Sequence, residues 1–178
     1  MMKGIVKGLV AAGLGLVLVA VPAQAQIGWQ VGAGLTMPQG DFGDGFKSGF
    51  HAMGAANFAL TGAPIGIRAD AAYNMNKVDA SGVDISSNIL TVSGDAKYSF
   101  APGPVSPYLL GGITWARASI SGSDAPSGVD AQSDIGFNFG GGINFGLGSL
   151  KAFAEARYFT IGGDVDADFI PITVGLRF

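Results

Sequence analysis

From Ile27 to the end of the chain, apolar residues recur at every second position, which is the period of a β-strand with two unlike faces. In the first segment Ile27, Trp29, Val31, Ala33, Leu35 and Met37 share one face, and Gly28, Gln30, Gly32, Gly34 and Thr36 the other. A second segment runs from Phe50 to Leu60. The third sets Ile65, Ile67, Ala69, Ala71, Tyr73 and Met75 against Gly66, Arg68, Asp70 and Asn74. The fourth opposes Leu90, Val92, Gly94, Ala96, Tyr98 and Phe100 to Thr91, Ser93, Asp95, Lys97 and Ser99. The sixth opposes Ile135, Phe137, Phe139, Ile143 and Phe145 to Asn138, Gly140, Gly142 and Asn144. In the seventh Leu150, Ala152, Ala154, Ala156 and Tyr158 face away from Lys151, Glu155 and Arg157, and in the eighth Ile170, Ile172, Val174, Leu176 and Phe178 face away from Thr173, Gly175 and Arg177. The fifth, 106–120, breaks the rule: Tyr108 and Leu110 share one face while Ile113 and Trp115 fall on the other. A bulge at Gly111-Gly112 would bring all four to one side, because one extra residue flips the alternation.

These segments predict an all-β, eight-stranded antiparallel up-and-down barrel. Each is about 10 residues, the length that crosses a bilayer at a barrel's tilt. The connections alternate between short (61–64, 102–107, 146–149) and long (38–49, 76–86, 121–133, 162–167). Short turns at one end and long loops at the other are the pattern of a bacterial outer-membrane barrel, with both termini in the periplasm.

Residues 1–25 predict a cleaved secretory signal peptide: Lys3 and Lys7, an apolar stretch over 9–21, then Ala23-Gln24-Ala25 as a small-x-small cleavage site. The barrel domain is then 26–178. Composition agrees with export into a membrane. Of 178 residues 30 are glycine and none is cysteine, only 13% are charged, and mean hydropathy is +0.40. The absence of cysteine excludes disulfide scaffolds, thiolate metal sites and cysteine nucleophiles. A net charge of -3 argues against general nucleic-acid binding, which needs a basic surface.

Charge and aromatic placement decide which face meets lipid. On the apolar face aromatic residues collect at the strand ends: Trp29, Phe58, Tyr98, Phe100, Tyr108, Phe145 and Phe178 at the short-turn end, Phe50, Tyr73, Phe137 and Tyr158 at the other. Such belts mark the two bilayer interfaces. Asp41, Asp44, Asp79, Asp84, Asp124, Asp130, Asp134, Asp164, Asp166 and Asp168 lie in or beside the long loops, offset there by Lys47 and Lys77. The strands keep Arg68, Asp70, Asp95, Lys97, Arg117, Lys151, Glu155, Arg157 and Arg177, expected inside the barrel, since an Arg or Lys facing lipid at mid-depth costs about 2–4 kcal/mol. An eight-stranded barrel is just wide enough for its side chains to fill. These charges are therefore expected to pair as a polar plug, Arg68 with Asp70 and Asp95 with Lys97, with a surplus of bases that leaves a narrow, anion-leaning water path. A soluble, lipocalin-like barrel is the alternative, with the apolar face turned inward.

The chain resembles the small eight-stranded outer-membrane barrels of the outer membrane protein A and X type, the porin family proteins. The resemblance rests on the N-terminal segment, on Pro107-Tyr108-Leu109-Leu110-Gly111-Gly112-Ile113 and on the ending Ile172-Thr173-Val174-Gly175-Leu176-Arg177-Phe178. It implies that Val174, Leu176 and Phe178 form the signal read by the barrel assembly machinery. It does not extend to a periplasmic peptidoglycan-binding domain.

Chemical sites are sparse. His51 is the only histidine, near the long-loop rim, and no local motif ties a serine to it as a lipid-deacylating pair would require. Asp164, Asp166 and Asp168 alternate and, on an extended segment, would point the same way as weak calcium candidates, although the glycine and distal glutamate of a calcium loop are missing. Gly140-Gly141-Gly142 completes no nucleotide fingerprint and relieves crowding inside a narrow barrel. The expectation is a monomer without catalytic residues, cofactor or metal. Its partners are outer-membrane lipid, lipopolysaccharide and the assembly machinery, and its role is structural or surface-interacting through acidic loops. The alternatives are a narrow channel for small or hydrophobic solutes and, third, a lipid-modifying enzyme.

Overall fold

The computed structural model describes residues 26–60, 62–78, 85–100, 103–124 and 130–178. The predicted signal peptide, Asp79 and Asp84 lie outside them. Eight strands follow in order: β1 (Gln26–Gln39), β2 (Gly49–Ala59), β3 (Ile65–Lys77), β4 (Ser86–Ser99), β5 (Val105–Ser121), β6 (Gln132–Leu147), β7 (Leu150–Ile161) and β8 (Ala167–Arg177). Each pairs antiparallel with its sequence neighbours, and β1 closes the barrel on β8 from Gln30↔Arg177 to Gln39↔Asp168. Closure leaves no edge strand, so every strand satisfies its backbone on both sides. A short helix, α1 (Gly40–Gly45), lies in the first long connection, where a plain loop was expected.

The alternation read from the sequence sets the wall. Ile27, Val31, Ile67, Met75, Ile113, Phe137, Phe139 and Val174 face outward and are exposed, while Gln30, Thr36, His51, Asn74, Thr91, Thr114 and Asn138 face inward and are buried. No helix among the described residues is long and apolar enough to cross a membrane. Strands are longer than expected, reaching 17 residues in β5 and 16 in β6.

The predicted bulge in β5 is absent. Its ladder to β4 runs without interruption through Gly94↔Ile113, Asp95↔Gly112, Ala96↔Gly111 and Lys97↔Leu110. Alternation therefore continues across the two glycines, and Tyr108 and Leu110 point into the lumen while Ile113 faces out. Two consequences correct the sequence reading. Tyr108, 1% exposed, leaves the aromatic belt, and Arg117, expected inside, shares the outward phase of Ile113 and is exposed near the long-loop end. A long cationic side chain at that height can reach the headgroup layer. Phe58, 6% exposed between Ile27 and Ile67, also contributes little to the belt.

Glycine makes room for the inward side chains at two positions on β6. A Cβ on Gly142 would stand 2.5 Å from the Tyr108 hydroxyl, and one on Gly140 would stand 2.6 Å from Arg157 Cα. A side chain at either place would displace the lumen contacts described next.

Candidate functional site

Inside the wall the lumen is layered. At mid-barrel six charged side chains are buried, Arg68, Lys97 and Arg157 with Asp70, Asp95 and Glu155. Arg157 donates from Nη1 to Asp70 Oδ1 at 2.6 Å and from Nη2 to Asp95 Oδ2 at 2.8 Å. Arg68 donates to Glu155 Oε2 and lies with its Nε 3.2 Å from Asp70 Oδ1. Tyr108 donates to Glu155 at 2.7 Å, and Asn138 links Asp95, Thr114 and Arg157. Burying such charges is tolerable only when each is paired and hydrogen-bonded, and here the bases and acids balance.

That arrangement corrects two expectations. Arg68 does meet Asp70, but Asp95 does not take Lys97; it goes to Arg157 across the lumen, and Lys97 donates to Asn57 Oδ1 at 3.1 Å with its Nζ 3.9 Å from the Tyr108 ring centre. Residues two apart on a strand stand about 6.6–6.8 Å apart along it, whereas long side chains in a narrow barrel meet more closely across its bore. The positive surplus also vanishes from the buried layer. Arg117 faces out, Lys151 is exposed at the short-turn mouth and Arg177 is half-buried there.

Toward the long loops the lumen turns apolar, which the polar-plug reading missed. Ile89, Ala116, Phe159, Ile161, Ala167 and Phe169 form one buried cluster, joined by partly buried Phe42 from α1, Ala118 and Val165. Phe159 and Phe169 stack at 5.0 Å with their planes 4° apart. The signal was present in the sequence: Phe153, Phe159, Ile161 and Phe169 stand in register with Glu155 and Arg157 or with Thr173, and so belong inside. Between the two layers His51 is buried, its Nδ1 3.1 Å from Thr36 Oγ1 and its Nε2 2.8 Å from Thr173 Oγ1. It lines the lumen, and its hydrogen-bond partners are threonines. A void beside these layers, lined by His51, Asp70, Glu155 and Arg157 among others, is about 20 Å³, space for a single water.

The long-loop end shows no metal centre among its described residues. Asp166 takes a left-handed φ of 36°, which breaks the extended geometry that would have aligned Asp164, Asp166 and Asp168. Asp168 instead accepts the Tyr158 hydroxyl at 3.0 Å, and Asp134 accepts the backbone N–H groups of Asp164 and Val165 at 2.7 and 2.9 Å. The three carboxylates are thus dispersed. Val174, Leu176 and Phe178 all face outward and are exposed.

A closed eight-stranded barrel with an apolar exterior and a charged, filled interior defines a transmembrane β-barrel. Residues 9–178 match the sequence profile of the outer membrane protein beta-barrel domain, and the chain belongs to that family of the bacterial outer membrane. In fold it is similar to Neisserial surface protein A (20% identity, TM-score 0.70, covering 86% of this chain and 97% of that one). It is also similar to Ail, the attachment invasion locus protein of Yersinia pestis (19%, 0.52, 85% and 98%). The N-terminal barrel domain of Pseudomonas aeruginosa OprF is a third such structure (19%, 0.52, 87% and 100%). No curated protein matches the chain in sequence.

Proposed function

We propose that this barrel serves the outer membrane as a structural or surface-interaction protein, with both termini in the periplasm and its acidic long loops outside. The observation that carries this reading is the packed lumen, where a charge layer and an apolar layer of buried side chains cross the bore and the void between them is about 20 Å³, so that recognition falls to the loops. Asp41, Asp44, Asp124, Asp130, Asp164 and Asp166 stand at the long-loop end and can share divalent cations with lipopolysaccharide phosphates. A non-enzymatic role is supported by His51, both of whose ring nitrogens are taken up by threonine hydroxyls, Thr36 and Thr173. The outward, exposed ending Val174, Leu176 and Phe178 suits recognition by the barrel assembly machinery, and the closed wall suits a monomer.

The test joins conductance with topology. An epitope inserted in the loop 122–131 is expected to be accessible on intact cells, and the purified protein to give no single-channel steps in planar bilayers. Discrete steps would replace this reading with that of a narrow channel, and an epitope reached only after the envelope is broken would reverse the orientation. Thermal resistance in lipopolysaccharide-containing membranes is expected to be higher with calcium than with chelator; equal values would remove the cation-sharing role.

A further inference from the structure

The short-turn mouth of the lumen differs from the layers above it, because no acidic side chain among the described residues pairs with its bases. Arg177 on β8 stands directly opposite Gln30 on β1, and both face inward. On its other side β8 pairs with β7 as far as Ala152↔Leu176, which brings Lys151, the next residue out, level with Arg177. Three consecutive strands thus present Gln30, Arg177 and Lys151 in one row. Like charges directly opposite each other across a sheet are unfavourable. Yet among the described residues neither Arg177 nor Lys151 has a hydrogen-bond or ion-pair partner. Glu155, the acid on the strand of Lys151, is occupied by Arg68 and Tyr108, and the backbone oxygen of Phe178 accepts the Trp29 N–H at 3.1 Å.

Gln30 supplies the second observation. It is 1% exposed, and its Nε2 has no hydrogen-bond partner. Burying an amide donor without an acceptor is unfavourable, so the wall holds an N–H group that calls for one. Its orientation is fixed by a chain of bonds: Lys97 Nζ donates to Asn57 Oδ1 at 3.1 Å, and Asn57 Nδ2 donates to Gln30 Oε1 at 3.0 Å. The carbonyl end is thereby engaged, and the donor end, on the residue paired with Arg177 across the β1–β8 ladder, has no acceptor among the described residues.

We propose that this mouth is a binding site for a phosphate-type oxyanion, with Arg177 as the forked donor, Lys151 as the mobile charge at the entrance and Gln30 Nε2 as the buried neutral donor. A guanidinium fork matches two oxygens of a tetrahedral anion, and an ammonium adds a point charge. Two sources share this chemistry, free phosphate or a soluble phosphate ester and the headgroup phosphate of a lipid in the leaflet at this end, and the two arms of the experiment distinguish them.

The experiment follows the Gln30 side-chain amide by nuclear magnetic resonance in the folded protein in neutral detergent, titrated with inorganic phosphate against chloride at equal ionic strength. A second arm compares nanodiscs of phosphatidylcholine with nanodiscs containing phosphatidylglycerol. A saturable shift with phosphate and not chloride, weakened about tenfold in Lys151→Gln and in Arg177→Gln, is expected if the anion is soluble; tenfold is the loss of about 1.4 kcal/mol. A shift that appears only with phosphatidylglycerol and is lost in the same variants supports the site and assigns the headgroup as ligand. No saturable shift in either arm, or one that both variants leave unchanged, overturns the proposal. Folding of each variant is checked by its heat-dependent migration on gels, and Lys151→Gln, outside the β7–β8 pairing, keeps the test open should Arg177→Gln fail to assemble.

Discussion

At mid-barrel the inward positions are taken by Arg68, Arg157, Asp70, Asp95 and Glu155, whereas one layer nearer the long loops the inward positions carry Ile89, Phe159, Ile161 and Phe169. The two fillings obey different physics. A charge layer holds only if every group finds its partner in a fixed geometry, because an orphaned buried charge is costly. An apolar layer needs only volume and shape, and its neighbours can relax when one member shrinks. The charge layer thus fixes which strands face one another across the bore, while the stacked rings seal the end at which loops meet the surroundings.

That contrast can be broken most severely at its ionic hub. Arg157→Leu leaves Asp70 and Asp95 buried without their shared partner, and a loss of about 3–5 kcal/mol is expected. Guanidinium unfolding in lipid vesicles, followed by the fluorescence of outward-facing Trp29 and Trp115, measures it. Phe169→Ala opens the apolar layer instead; about 3 kcal/mol is expected, at the low end for a truncated phenylalanine because the loop side can collapse. In the same assay, a loss larger than that of Arg157→Leu would invert the ranking of the two layers. Tyr108→Phe keeps the ring beneath Lys97 and removes one donor from Glu155, which retains Arg68. A loss of about 1 kcal/mol is expected, and a null effect would return Tyr108 to the outer face. The smallest change is Arg117→Gln, exposed and outward, for which stability should hold within about 0.5 kcal/mol. A loss as large as that of Arg157→Leu would put Arg117 back in the lumen.

The strands were legible because a barrel wall in lipid imposes one rule on every residue, apolar outward and everything else inward, and that rule repeats at period two. β5 shows its limit. Gly111 and Gly112 have no side chains to declare a face, so the residues before them fitted either a bulged strand with Tyr108 outside or a straight one with Tyr108 inside. Only the ladder to β4, with Ala96↔Gly111 and Asp95↔Gly112, chooses between them. Arg117 shares the phase of Ile113 and Trp115 with or without a bulge, so its place on the exterior was already legible in that spacing. Phe159 and Phe169 show the same limit: by hydrophobicity they suit the outer face, while their register places them among Arg157 and Thr173.

Alternation, loop lengths and the choice of residues thus determined by themselves the number of strands, their order and the side that faces lipid, since these depend on neighbours along the chain. The partners inside were decided by closure. Arg68 meets Glu155 across 87 positions and Arg157 meets Asp95 across 62, and no local spacing encodes such distances. Those contacts and the row at the short-turn mouth exist only once β1 has joined β8, because the bore brings together side chains that the sequence keeps apart.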